Sequence, residues 1–154
     1  MSKSSSDQMS IVIQNNDFSF GNIYISSESS LNLSKIQEKK ISAVIAITRN
    51  IETLFQSDEL NYTLVLPLKS DETVKLIDYL ETSLKFLEKY QSRTNILVYC
   101  SDGKTLCPII LMAFLIKFFN YDFLKAYSAF SLNREVPSGE TVFPILKSLF
   151  PLFR

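Results

Sequence analysis

The 154-residue sequence contains no histidine. That absence removes Ser-His and Cys-His nucleophilic pairs, histidine-ligated metals and the commonest general base. Only two cysteines are present, Cys100 and Cys107, too few for a cysteine-rich zinc site, and no metal is expected. Three glycines, Gly21, Gly103 and Gly139, cannot supply a G-x-G-x-x-G loop. Net charge is lacking too: sixteen basic and sixteen acidic side chains cancel, with no basic block, so nucleic acid is not an expected partner. The longest apolar run, residues 108–119, is interrupted by Lys117. It spans about 12 residues where a membrane helix needs about 20, and it reads as a buried core helix. The opening MSKSSSDQMS has no apolar signal core. Together with the sparse cysteine it predicts a cytoplasmic, intracellular chain.

What is present is a core. Apolar residues make up 46% of the chain, enough for one domain over residues 11–154. Residues 1–10 are Ser-rich and polar, and they predict a disordered tail. Short strands are expected over 11–14 and 21–25. A short helix follows over 29–40, with Leu31, Leu33 and Ile36 inward. SAVIAIT (42–48) is a buried strand by its β-branched, apolar content. Residues 51–61 read as a weak helix or loop, and YTLVLPL (62–68) as a further strand with Pro67 near its end. Val74, Ile77, Leu80, Leu84, Leu87 and Tyr90 recur at three- and four-residue steps, which predicts a helix over 71–90. Residues 96–99 form a fully apolar strand, suited to the middle of a covered sheet. Helices are then expected over 105–119, with Pro108 in the first turn, and over 122–132 and 143–150. Strands alternating with helices predict an α/β domain with a mostly parallel sheet.

The chemistry concentrates in YCSDGKTLC, residues 99–107, a polar turn between an apolar strand and an apolar helix. Gly103-Lys104-Thr105 matches the end of a nucleotide-binding phosphate loop, but the glycine that motif needs five residues earlier is Val98. The turn also resembles the phosphate loop of the dual-specificity phosphatases, which runs His-Cys, five residues, Arg, then Ser or Thr. Cys100 takes the nucleophile position and Gly103 the glycine position, while Ser101, Asp102, Lys104 and Thr105 fill the loop between them and Leu106. The resemblance extends from about residue 20 to 150. NIYISSESSLNLSKIQEKKISAVIAIT is similar to the family's opening strand, helix and strand. LPLKSDET falls at its general-acid loop. Ala126, Arg134, Pro137 and Phe143 match a later segment in which the arginine is structural. The resemblance implies a dual-specificity phosphatase-like fold, with a mostly parallel sheet of about five strands and helices on both faces. It implies no cofactor.

The departures fall on the chemical positions. Leu106 stands where the family has arginine, whose planar fork binds phosphoryl oxygens and holds their transition-state charge. Lys104, two positions earlier, cannot make that fork. Tyr99 replaces the histidine before the nucleophile, and Cys107 replaces the hydroxyl residue after the arginine. The family's aspartic acid falls on Ser70. Asp71 is one place later, and a one-residue loop shift would restore it as the acid. The chain therefore resembles a degenerate member of the family, of the STYX-type pseudophosphatase kind: a protein-binding or scaffold module for protein partners, phosphoproteins among them. A divergent active phosphatase using Cys100 and Asp71, and a nucleotide-binding module using Gly103-Lys104-Thr105, are the alternatives. In the family fold Cys100 and Cys107 would be neighbours, within reach of a disulfide. The apolar tail SLFPLFR is a candidate partner surface.

Overall fold

Strand β5 (Asn95–Cys100) is buried along its whole length. Its alternate side chains sort into two separate cores, as a period of two requires. Ile96, Val98 and Cys100 face the larger core, and Leu97 and Tyr99 the smaller one. In the computed structural model, which describes residues 9–13, 21–49, 62–132 and 134–149, this strand is the centre of a five-stranded sheet. The sheet order is β1-β2-β5-β3-β4, with β1 (Ser10–Ile13), β2 (Ile23–Ser27), β3 (Ile41–Ile47) and β4 (Tyr62–Leu66). β2 and β3 flank β5 in parallel, β4 continues in parallel, and only β1 runs antiparallel. Parallel register aligns the carboxyl ends of three strands, so Ser27, Ile47 and Cys100 lie at one edge.

The helices cover both faces unequally. α2 (Leu80–Gln91), α3 (Leu106–Phe119), α4 (Phe123–Ser131) and α5 (Gly139–Leu149) pack on the larger core. On the other face, α1 (Leu33–Glu38) adds Ile36 to a smaller cluster with Tyr24, Val44 and Tyr99. α3 is buried from Leu106 to Ile116, which explains its unbroken apolar sequence: it is covered on every side. It ends at Asn120, held in the left-handed region at φ 60°. Asparagine tolerates that conformation better than most residues.

Several expected boundaries move, each for a local reason. Residues 1–8, 14 and 51–61 lie outside the described residues, but the tail expected over 1–10 does not extend to its last two positions. Met9 is buried and Ser10 opens β1, where its hydroxyl accepts a hydrogen bond from Arg134. The helix expected over 29–40 is split into a 3-10 turn (Glu28–Ser30) and α1, because the Asn32 side chain accepts the Lys35 N–H at 2.8 Å and starts α1 afresh. Leu33, expected inward, is exposed as a result. The helix expected over 71–90 begins later, as a 3-10 segment (Lys75–Tyr79) leading into α2. Its first turn is taken instead by Glu72, which accepts the Lys69 N–H and pairs with Arg49 and Lys75. Val74, expected on the apolar face, is 72% exposed. α5 starts four residues earlier than expected, where the Ser138 hydroxyl accepts the Thr141 N–H, and it carries Pro144 inside.

The amino end of the sheet is tied by one buried amide. Asn95 Oδ1 accepts the Asn22 N–H at 3.0 Å, and its Nδ2 donates to the Lys39 carbonyl at 2.8 Å. These bonds join the entry to β2, the α1–β3 turn and the start of β5. Asn95→Ala removes both of these bonds from part-buried backbone groups and should cost about 1–3 kcal/mol in urea unfolding. Val74→Ala, at an exposed position, should stay within about 0.5 kcal/mol.

Candidate functional site: the β5–α3 loop

The loop of residues 101–105 leaves the carboxyl end of β5 and enters α3. Gly103 sits at φ 70°, a conformation that a Cβ disfavours, which places glycine at the bend. Its carbonyl accepts a hydrogen bond from Arg134 Nη2 at 3.0 Å. Arg134 is 3% exposed, and its Nη1 reaches the Ser10 hydroxyl, so one buried guanidinium joins the loop, β1 and the α4–α5 connection. Burial pulls the Arg134 pKa down, and the neighbouring Cys107 and Cys100 thiolates would push it back up.

Inside the loop, Asp102 is the organising acceptor. Its Oδ1 accepts the N–H groups of Lys104 at 3.0 Å and Thr105 at 3.1 Å, while the Thr105 hydroxyl donates to Oδ2. The Cys100 thiol lies 3.4 Å from the same Oδ1. Burial pushes the Asp102 carboxyl up. The Thr105 hydroxyl and the two N–H groups more than offset this, and the carboxyl stays below its ordinary range.

The two thiols are free and buried, and each shifts the other's pKa. Cys100 is held below the ordinary thiol range, foremost because Cys107 donates to its sulfur, with help from the N–H groups of Cys107 and Leu106. Burial and the Asp102 charge oppose that shift. Cys107 moves the other way, pushed well up by complete burial and by its role as donor to Cys100.

A thiol at the carboxyl end of the central strand, a glycine bend and a buried helix behind it form a phosphate-loop scaffold, and residues 23–145 match the dual specificity phosphatase catalytic domain. The chain belongs to the dual-specificity phosphatase family. Solved structures share the fold across 82–96% of this chain. The human tyrosine phosphatase-like serine/threonine/tyrosine-interacting protein is 19% identical, with a TM-score of 0.76 over 95% of this chain and 97% of its own. A leucine rich repeat and phosphatase domain containing protein from Entamoeba histolytica is 19% identical, with a TM-score of 0.70 over 96% of each chain. Human DUSP28 is 15% identical, with a TM-score of 0.69 over 82% of this chain and 86% of its own. Among curated proteins, none matches the chain by sequence.

Leu106, which the resemblance aligns with the family's arginine, is fully buried in the larger core. Tyr99, at the histidine position, lies on the opposite face of the sheet from Cys100. Its phenol is pushed far up by burial and by the Glu28 charge, and it stays neutral. Lys104 turns to the surface, where Nζ pairs with Glu135 at 3.1 Å across a cavity of about 200 Å³ lined also by Thr105, Val136 and Pro137. Ser101 is exposed at the rim of the loop. Asp71 is exposed on the turn after β4, while its neighbour Glu72 carries that turn's ion pairs. The Lys75 ammonium foremost, and the Lys69 N–H, lower the Glu72 pKa.

The polar turn expected between a strand and a helix lies between β5 and α3, while the internal role of Asp102 and the reach of Arg134 to Ser10 were not expected. The first had a readable signal, since an aspartate followed by glycine is a turn pattern in which the side chain accepts backbone N–H groups two and three residues on. The second had none, because the two residues are 124 positions apart.

A depressed thiol pKa stabilises the fold above the ordinary range near about 8.5 and loses that contribution as pH falls through the folded-state value. Cys107→Ala removes the largest cause of the depression, so thiolate absorbance should show Cys100 titrating at higher pH in the variant than in the parent. An unchanged or lower midpoint would contradict the thiol–thiol hydrogen bond.

Proposed function

We propose that this chain is a non-catalytic member of the family, a pseudophosphatase that acts by binding other proteins, phosphoproteins among them. Leu106 is the observation that carries the reading. A fully buried aliphatic side chain at the arginine position offers phosphate neither donor nor charge. Loss of one positioned donor lowers rate about 100- to 1000-fold. The helix terminus that remains contributes only about 0.3–1 kcal/mol per charge in exposed settings. Lys104 does not replace the guanidinium, because its ammonium is directed to Glu135. Phe119, Leu124 and Leu132, exposed around α3 and α4, are apolar surface of the kind protein partners use.

One observation favours a second reading, a divergent phosphatase in which Cys100 is the nucleophile and Asp71 the acid: the Cys100 thiol is acidified by its neighbours. Aryl phosphate hydrolysis separates the two. The expected result is no turnover above that of Cys100→Ser, with the same proteins retained by parent and Cys100→Ser on affinity capture. Turnover by the parent that Cys100→Ser abolishes would overturn the non-catalytic reading.

A further inference from the structure

The donors that a phosphate loop offers to a phosphoryl group already have an anion on them. Backbone N–H groups at the amino end of a buried helix favour negative charge, and in a phosphate loop they hold phosphoryl oxygens. Here the N–H groups of Lys104 and Thr105 both point at Asp102 Oδ1, and the Thr105 hydroxyl satisfies Oδ2. The same carboxylate stands 3.4 Å from the Cys100 sulfur, on the side of the thiol that faces the loop. Asp102 is only half-buried, so its position is not forced by a closed core; the hydrogen bonds hold it there. We propose that the Asp102 carboxylate is the built-in occupant of this loop, keeping it folded without ligand and closing it to phosphoryl groups.

The arrangement has two consequences. A phosphoryl dianion would have to displace Asp102 from three donors and then sit beside its charge. The loop also no longer depends on a bound anion for its shape, so the surface it shows to a partner is constant whether or not phosphate is present. The proposal rests on the non-catalytic reading of the loop and adds a second reason for it, independent of Leu106.

The test compares the full-length parent with Asp102→Ala and Asp102→Asn by thermal unfolding in inorganic phosphate, against chloride at matched ionic strength. The parent should show no phosphate-specific stabilisation. Asp102→Ala should melt about 3–6 °C lower without phosphate, the size of a lost helix cap in a domain of this length. It should recover part of that loss as phosphate is added. Asp102→Asn keeps an Oδ1 acceptor but no charge, so it should fold nearer to the parent and still respond to phosphate, which preserves the test if the alanine variant does not fold. Phosphate should bind either variant at least about tenfold more tightly than the parent, as expected for removing one like charge in contact. An equal phosphate response in parent and variants, or none in either variant, would overturn the assignment of Asp102. Aryl phosphate turnover by the parent would overturn the non-catalytic reading on which the proposal rests, and it is measured separately on the same samples.

Discussion

A buried guanidinium holds this site in place. Arg134 is buried between the loop that follows β5 and the first strand of the sheet, donating to the Gly103 carbonyl and to the Ser10 hydroxyl. Removing a buried charged donor from such a position strands the groups it served, a larger effect than the bonds themselves are worth. The bend at Gly103, the entry into α3 and the antiparallel edge strand therefore depend on one side chain from the α4–α5 connection. The loop is tied from behind, through the protein interior, to the edge strand of the sheet.

On the non-catalytic reading proposed above, what faces forward is electrically unlike a working phosphate site. An active loop presents donors and positive charge to an incoming dianion. This loop presents the Asp102 carboxylate, which accepts the Lys104 and Thr105 N–H groups, and behind it the aliphatic Leu106 turned into the core. The one cation of the loop, Lys104, is directed toward Glu135. Cys100 nevertheless keeps a lowered pKa, because its stabilisation comes from Cys107 and from the N–H groups at the start of α3 rather than from an arginine. The acidity of a thiol and its usefulness in catalysis are thus separable: the first needs only hydrogen bonds to sulfur, while the second needs a place for the phosphoryl group.

Glu72 and Asn32 show how polar side chains set boundaries that periodicity alone misplaces. The apolar steps from Val74 to Tyr90 suit one long helix, yet Glu72 binds the Lys69 N–H, Arg49 and Lys75, and the chain stays in a turn until residue 75. Asn32 does the same ahead of α1 by capping Lys35. A hydrophobic pattern reports which residues a helix could bury. It does not report which backbone N–H groups a nearby side chain has claimed.

The order of strands and helices, the central place of β5, the burial of α3 and the position of the loop all followed from local pattern, since apolar period and turn chemistry act between near neighbours in the chain. The replacement of the arginine by Leu106 was equally plain, being a matter of residue type at a spacing. Other features required the folded chain. The opposite pKa shifts of Cys100 and Cys107, each caused foremost or in part by the other, depend on where the folded chain buries the two thiols. The link from Arg134 to Ser10 spans the length of the domain, and the pairing of Lys104 with Glu135 joins residues 31 apart. Sequence by itself determined which groups are available at the loop, because composition and spacing are local. Only the tertiary structure decided which of them meet, because hydrogen bonds and ion pairs form between whatever donors and acceptors the packed core brings within about 3 Å.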